Sequence, residues 1–242
     1  YIKPSSRVSP YIRFKQEKKL LRQALVLDKI SHGFDGETLF KKGSIILEAG
    51  ARLAVIGDNG AGKTTFIRCL MNELTPDNGS IKWAENASLS YCPQDSTADF
   101  DCDLNLFDWM SQWRKPSHDD QIVRATLGRL LFSSHDFEKQ VTVCSGGEKN
   151  RLLFGKLMMM DTNVLLLDEP TNHLDMECIE SLNLALEHYD GTLIFVSHDR
   201  EFVSSLATRI IDIKDHELID FQGTYDEYLS SQQSAERLAN AS

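Results

Sequence analysis

The chain has 242 residues, 41% of them hydrophobic and 26% charged, with a formal net charge of −10 at pH 7. These values are typical of a globular protein with one large domain or two modest ones, and no apolar stretch is long enough to cross a bilayer. The five cysteines lack C-x-x-C spacing, which indicates reduced thiols rather than a disulfide framework or a zinc site. Because the sequence shows no signal peptide and does not begin with Met, we expect a cytoplasmic fragment of a longer protein.

The charge is distributed unevenly along the chain. Residues 1–22 carry a net charge of +6 against the single acid Glu17, which leaves −16 on the rest. This basic arm fits either a polyanionic partner or a solvated linker, and composition does not decide between them. Pro4 and Pro10 predict an extended lead-in, and 11–22 a short basic helix. The basic residues are Lys3, Arg7, Arg13, Lys15, Lys18, Lys19 and Arg22.

After the basic arm, strand-like and helix-like patterns alternate. This alternation predicts an α/β fold with a mostly parallel core sheet, flanking helices and a ligand site at the carboxyl ends of the strands. Strands are predicted at 24–30, 44–48, 52–56, 79–84, 88–92, 163–167, 192–197 and 209–213. Helices are predicted at 63–73, 147–159, 176–188 and 200–206.

The alternation is interrupted between about residues 101 and 147, where two amphipathic helical runs are predicted. We interpret this segment as a helical insertion within one domain that spans 23–230, followed by a polar C-terminal tail at 231–242. The apolar positions of the two runs are Leu104, Phe107, Trp109, Met110 and Trp113, then Ile122, Ala125, Leu127, Leu130 and Leu131.

The most informative motif is G-x-x-x-x-G-K-[ST] at residues 57–64, which follows the apolar strand predicted at 52–56. Glycine is needed in such a loop because a Cβ would keep the backbone N–H groups away from a phosphate. We expect Lys63 to reach the β- and γ-phosphates and Thr64 to offer its hydroxyl to Mg²⁺. The predicted nucleotide-binding residues of this loop are Gly57, Asn59, Gly60, Gly62, Lys63, Thr64 and Thr65.

Polar residues follow three further predicted strands. Asp168 is expected to hold Mg²⁺, usually through water, and Glu169 to orient and polarise an attacking water. Gln94 is expected to sense Mg²⁺ or water, although an ordinary loop amide is the alternative. His198 is placed to hydrogen-bond a γ-phosphate, although a lone histidine is more often structural.

A second glycine-rich loop, Ser145-Gly146-Gly147-Glu148, precedes a predicted helix. Its Ser hydroxyl and backbone N–H groups suit a phosphate, because the N-terminus of a helix attracts anions. Taken alone the signal is weak, since Ser-Gly-Gly is also a common turn.

The order of these motifs over about residues 24–220 resembles the ATP-binding cassette ATPases. The resemblance implies a P-loop NTPase fold with an antiparallel β subdomain, and two cassettes that face each other head to tail around two ATP molecules. Ser145, Gly146 and Gly147 would then serve a nucleotide bound mainly by the other cassette, with Asp175 at the seam. Phe34 matches the aromatic that stacks on adenine, with a core Phe as the alternative.

Two departures from the family pattern fall in the second glycine-rich loop. Cys144 replaces the usual Leu, and Cys is still a small apolar residue that can pack in its place. Glu148 replaces the usual Gln, so a side-chain role that the family assigns to Gln does not carry over directly to Glu148.

Two segments resemble the ABC-F branch: Pro-Thr-Asn-His-Leu-Asp at 170–175 and Ser-His-Asp-Arg-Glu-Phe at 197–202. ABC-F proteins join two cassettes in one chain by a basic helical linker and bind the ribosome near the exit-site tRNA. The resemblance therefore implies the second cassette of such a protein, with the end of the linker at 1–22. ATP would close the two cassettes as a clamp, and hydrolysis would reopen it.

Two other functions remain open at this stage. The chain would be a transporter ATPase subunit if the helical insertion docked on a membrane partner, or a catalytically weak nucleotide switch if it mainly bound nucleotide. Because half of each composite site would lie on the other cassette, weak hydrolysis is expected from this chain alone.

Overall fold

The computed structural model describes residues 8–241. The strands are β1 Gln23–Phe34, β2 Glu37–Glu48, β3 Arg52–Gly57, β4 Asn78–Trp83, β5 Leu89–Cys92, β6 Val164–Asp168, β7 Thr192–Val196, β8 Arg209–Lys214 and β9 Glu217–Phe221. The helices are α1 Lys63–Leu70, α2 Thr97–Phe100, α3 Leu106–Ser111, α4 Asp120–Arg129, α5 Gly146–Met160, α6 Met176–Glu187, α7 Arg200–Leu206 and α8 Tyr225–Asn240, with 3₁₀ turns at Ser134–Asp136 and Val141–Val143.

In this part of the chain the strands form one 9-stranded sheet in the order β4-β1-β2-β9-β8-β3-β7-β6-β5. The half from β8 to β5 is parallel throughout. The other half is antiparallel between β1 and its neighbours β2 and β4, and β9 is antiparallel to β8. The predicted α/β fold, with a parallel core sheet and an antiparallel β subdomain, is therefore confirmed.

The central parallel strands are buried on both faces. Every residue of β6 and β7 is buried, because helices cover one side and α1 with the antiparallel strands covers the other. Leu165 and Leu167 pack in the core formed with the insertion and α5, whereas Val164 and Leu166 pack in the core that contains α1. This two-sided burial explains the uninterrupted apolar run that precedes Asp168.

The predicted helical insertion is present as α3 and α4. Asn105 caps α3 by accepting a hydrogen bond from the Asp108 backbone N–H at 2.8 Å, and Asp119 caps α4 in the same way. Trp109 is buried and stacks on Phe100 with ring centroids 4.8 Å apart. The insertion is thus packed into the main core, where α3 and α4 lie against α5.

The basic segment differs from its prediction. Residues 11–22 form no helix; they run as a strap without regular secondary structure, and its Ile12 and Phe14 are buried in the main core. The strap backbone bonds to the body, where the Tyr11 N–H donates to the Arg129 carbonyl at 2.8 Å and the Lys18 carbonyl accepts from the Asn163 amide at 2.9 Å. Lys3, Pro4 and Arg7 lie outside the described residues.

The C-terminal end also differs from its prediction. Helix α8 continues from Tyr225 to Asn240, so the division drawn at 230/231 falls inside a helix and residues 231–240 are helical. Its Thr224 cap accepts from the Glu227 N–H at 3.2 Å, and Tyr228 is its buried residue. Among the helices described here, none has the length and apolarity needed to span a bilayer.

We expect Phe14→Ala to lower the free energy of unfolding by about 3 kcal/mol, because a buried ring that contacts Tyr189 edge-on would leave a cavity. Urea denaturation measures this change. The matched control is Lys15→Ala, whose exposed side chain should alter stability by less than about 0.5 kcal/mol. Equal stability of the two variants would show that the strap is not part of the folded body.

Candidate active site

One polar cleft lies at the carboxyl ends of β3, β6 and β7, the edge at which parallel α/β sheets bind ligands. Its volume is about 330 Å³. It brings the phosphate-binding loop together with Gln94, the acid pair and His198, which the sequence predicts at separate strand ends. The lining residues are Leu39, Asn59, Gly60, Gly62, Lys63, Thr64, Thr65, Gln94, Asp168, Glu169, Val196 and His198.

The phosphate-binding loop has the backbone conformation for which its glycines are needed. Gly62 caps α1 with φ 107°, in the left-handed region. Gly57 has φ 151°, and a Cβ there would lie 2.8 Å from the Ile213 carbonyl oxygen. Gly57 itself does not line the cleft. The loop therefore turns tightly between β3 and α1, which aims the N-terminus of α1 into the cleft.

Lys63 is the buried cation of this cleft. Its Nζ donates to the carbonyl oxygens of Gly57 at 2.7 Å and Asp58 at 2.9 Å. Burial lowers the pKa of Lys63, and the negative charges of Glu169 and Asp168 oppose that shift. The ammonium is thus held beside the acid pair by backbone carbonyls.

Asp168 is almost fully buried at the end of β6. Its Oδ2 accepts a hydrogen bond from the Thr64 hydroxyl at 2.8 Å. Its Oδ1 is buried with no hydrogen-bond partner among the described residues. Burial raises the pKa of Asp168, against the Thr64 hydrogen bond and the charge of Lys63. A buried carboxylate oxygen without a partner is costly, which suits a position that a cation completes.

Glu169 follows Asp168 with an unusual backbone. Its φ of 50° is in the left-handed region, which is rare for a residue with a long side chain and is found most often at functional sites. Oε2 accepts from the His198 N–H at 3.3 Å, and Oε1 lies 3.1 Å from His198 Nε2 without hydrogen-bond geometry. Burial raises the pKa of Glu169, and the charge of His198 opposes that shift.

The residues expected to hold Mg²⁺ fit that ion. Mg²⁺ prefers oxygen ligands, keeps several waters and takes only one or two carboxylates when phosphates are bound. The cleft contains the Thr64 hydroxyl, the Gln94 side chain and the unpartnered Asp168 oxygen. In the described part of the chain no group of three or more His, Cys, Asp or Glu side chains could hold a metal alone. Most ligands of the ion would therefore come from phosphate and water.

Two hydrophobic residues that line the cleft were not predicted from the sequence. Leu39 of β2 lies against the phosphate-binding loop, since a Cβ added to Gly62 would lie 3.1 Å from the Leu39 Cβ. Val196 ends β7 beside Glu169, whose N–H donates to its carbonyl at 2.9 Å. Neither residue stands in a recognisable motif, although Leu39 is next to the buried Phe40. By contrast, Phe34 does not line the cleft and is 48% exposed at the end of β1.

The second glycine-rich loop also lies outside the cleft. Ser145 caps α5 in a capping box, since its hydroxyl accepts from the Glu148 N–H at 3.1 Å and Glu148 Oε1 accepts from the Ser145 N–H at 3.0 Å. A capping box accepts Gln or Glu at this position, so the departure to Glu148 keeps the helix start intact. Lys139 lies 3.1 Å from Glu148 Oε2 and holds that carboxylate further.

The loop is adjacent to the segment that follows the acid pair. A Cβ on Gly147 would lie 3.3 Å from the His173 carbonyl oxygen, and the Asn150 amide donates to the Asn172 carbonyl at 2.6 Å. Asp175 caps α6 by accepting from the Cys178 N–H at 2.8 Å. The loop therefore lies against residues 172 and 173, just before Asp175 in the chain, and neither the loop nor Asp175 lines the cleft.

Comparison with known proteins identifies the family. The family model "ABC transporter" matches residues 40–172. "Probable ATP-binding protein YbiT" of Escherichia coli O157:H7 is 57% identical over 95% of this chain and 43% of its own length. "ABC transporter F family member 5" of Arabidopsis thaliana is 36% identical over 94% of this chain and 33% of its own length. The chain thus spans less than half the length of these relatives.

Solved structures agree in fold. A bacterial Atm1-family ABC exporter with ATP bound superposes with a TM-score of 0.76 over 97% of this chain and 44% of that chain, at 20% identity. An inward-facing ABC transporter of the metal-chelate type gives a TM-score of 0.67 over 83% of each chain, at 24% identity. At these identities the likeness shows the fold alone.

We expect Glu169→Gln to raise the melting temperature at pH 7 by a few degrees. A folded pKa above the unfolded one means that ionisation at neutral pH destabilises the fold, and Gln removes that charge while still accepting the His198 N–H. The gain should vanish below the ordinary Glu value of 4.5, where the carboxyl is protonated in both states. Thermal unfolding at pH 7 and about pH 4 tests this.

The control for this variant is Glu85→Gln, at an exposed position, which should leave the melting temperature unchanged at both pH values. A melting temperature for Glu169→Gln at or below that of the wild type at neutral pH would contradict the assigned burial cost.

Proposed function

We propose, because the chain belongs to the ATP-binding cassette family and within it to the ABC-F branch, that it binds and hydrolyses ATP with the help of Mg²⁺. The observation that carries this proposal is the single cleft containing Lys63, Thr64, Asp168 and Glu169. A buried cation, a hydroxyl that donates to a carboxylate and a second carboxylate beside them suit the transfer of a phosphoryl group to water.

Binding of the triphosphate is assigned to the phosphate-binding loop. Backbone N–H groups at the start of α1 and the Lys63 ammonium supply positive potential, and the ammonium is already held in place by the carbonyls of Gly57 and Asp58. Bound Mg²⁺ would neutralise charge on the phosphate oxygens, with Thr64, Asp168 and Gln94 as the residues that would hold it.

Hydrolysis is assigned to Glu169 and His198. The carboxylate accepts a proton as the water oxygen forms a bond to the γ-phosphorus and the bond from that phosphorus to the β-γ bridging oxygen breaks. Its raised pKa makes it a stronger base than an exposed glutamate, and it must be ionised to act. His198 is partly exposed beside it and can donate to the transferred phosphoryl group.

A second cassette is assigned to complete the site. Ser145, Gly146, Gly147, Glu148 and Asp175 lie apart from this cleft on a face that also exposes Val143 and Met176 to 66% and 64%. Exposed apolar residues beside a helix N-terminus suit a face that packs against another subunit around an anion. We therefore infer that these residues contact the nucleotide bound by a facing cassette. Because each site would then need both cassettes, hydrolysis by this chain alone should be weak.

The proposal extends to the ribosome. As an ABC-F relative, the chain would act in a two-cassette protein whose closed, ATP-bound form fits a ribosomal site near tRNA and whose hydrolysis reopens the clamp. ATP drives such a transition because it binds the closed form more tightly than the open form. The exposed basic side chains of the strap offer contacts to RNA phosphates.

Replacing Glu169 by Gln tests the assigned base. In the full-length protein, with the other cassette already carrying Gln at its corresponding position, Glu169→Gln should reduce kcat about 100-fold or more while ATP binding stays within about twofold. Phosphate release and equilibrium titration measure the two effects. Unchanged turnover would remove Glu169 from catalysis, and no turnover even in the unmodified protein would favour a nucleotide switch.

Neutralising the strap tests the ribosomal contact. Changing Lys15, Lys18, Lys19 and Arg22 to Ala in the full-length protein should weaken ribosome association and reduce the slope of log K against log salt by about 3. Sedimentation with ribosomes at several salt concentrations measures both. The matched control changes Lys29, Lys41, Lys42 and Lys82, which are exposed on the antiparallel strands. Equal association of the two variants would contradict a role for the strap.

A further inference from the structure

A buried histidine lies beside Phe34, outside the cleft. His32 of β1 is 7% exposed, and neither ring nitrogen has a hydrogen-bond partner among the described residues. The nearest carboxylate is that of Asp77, whose Oδ1 lies 3.6 Å from His32 Nδ1. A buried imidazole with two unpartnered nitrogens is costly, whereas an apolar side chain would fill the same space without that cost.

His32 stands in a line of rings that leads to the phosphate-binding loop. Its ring is edge-on to Phe34 at 5.0 Å between centroids and 6.5 Å from Phe40. Phe40 in turn is edge-on to Phe66 at 5.7 Å. Phe66 belongs to α1, the helix that begins with Lys63. The half-exposed ring of Phe34 is thus connected by packed aromatics to the helix that is assigned to the triphosphate.

Asp77 is fixed against this line by the backbone. Ser31 pairs with Asn78 between β1 and β4, so the turn before β4 lies next to His32. Asp77 Oδ2 accepts a hydrogen bond from the Gly33 N–H at 3.0 Å. Gly79 permits this close approach, because a Cβ there would lie 2.4 Å from the Asp28 carbonyl oxygen. One carboxylate therefore faces both His32 and the residue before Phe34.

We propose that His32 and Asp77 are positioning residues that hold the Phe34 ring ready to stack on the purine base of the bound nucleotide. Asp77 lies against the Nδ1 edge of the buried imidazole, and the imidazole limits the rotation of Phe34 through the edge-on contact. A ring ordered in advance loses less conformational entropy when the base arrives. The inference rests on the proposed function and adds to it the two residues that prepare base recognition.

The test compares two probes on this chain, Mg-ATP and Mg-tripolyphosphate, by equilibrium titration. His32→Gln and Asp77→Asn should each raise the Kd for ATP by about fivefold, towards the loss caused by Phe34→Ala, because base stacking is weakened. The Kd for tripolyphosphate, which has no base, should stay within about twofold for all three variants. Asp77→Asn alters a largely exposed side chain, so it reports even where His32→Gln fails to fold.

The energetic coupling between His32 and Phe34 adds a second measurement, which a general loss of structure would not reproduce. In a Phe34→Ala background, His32→Gln should have no further effect on the ATP Kd. The matched controls, His135→Gln and Asp101→Asn at exposed positions, should leave both constants unchanged. Circular dichroism of each variant confirms the fold before titration.

Several outcomes would overturn the inference. Equal losses for ATP and tripolyphosphate would show a merely structural effect, and additive losses in the double variant would uncouple His32 from Phe34. Equal affinity of the wild type for both probes would remove base recognition and leave the proposed function standing. Failure of the wild type to bind either probe would overturn the proposed function and this inference with it.

Discussion

The hydrogen bond from the Thr64 hydroxyl to Asp168 joins segments 104 residues apart and is the contact on which the rest of the site depends. It exists because β3, β7 and β6 are parallel neighbours in register, with Val55 opposite Val196 and Val196 opposite Asp168. Parallel strands end at one edge, so the phosphate-binding loop and the acid pair emerge together there. A shift of one residue in β6 would turn Asp168 to the other face of the sheet.

The protein keeps this edge rigid by burying the strands from both sides. One core is formed with the insertion and α5, and the other with α1 and the antiparallel strands. Two unfavourable features persist between these cores: the unpartnered oxygen of Asp168 and the left-handed backbone of Glu169. Such costs persist only where the surroundings determine them strongly, and they coincide here with the residues assigned to metal and water.

Local patterns predicted the parts of the structure that local chemistry determines. The glycine loop before α1 and the apolar strand before Asp168 each carry their signal in a few adjacent residues. The helix predicted for the strap was wrong. A run rich in Lys, Arg and Leu favours a helix, but hydrogen bonds to Arg129 and Asn163, which are distant in sequence, hold the strap against the body instead. Strand β9 and the helical course of α8 were missed, since β9 contains no fully buried residue and α8 is largely polar. The contact between His32 and Asp77 depends on strand pairing that no local pattern reveals.

The most direct test of the central claim is the Mg²⁺ dependence of ATP binding in Asp168→Asn. The wild-type chain should bind ATP about tenfold more tightly with Mg²⁺ than with EDTA, since the metal would join phosphate to Thr64 and Asp168. The Asp168→Asn variant should bind ATP with nearly the same weak affinity in both conditions. A variant that kept the full wild-type gain from Mg²⁺ would show that Asp168 and the phosphate-binding loop do not share one metal-nucleotide site.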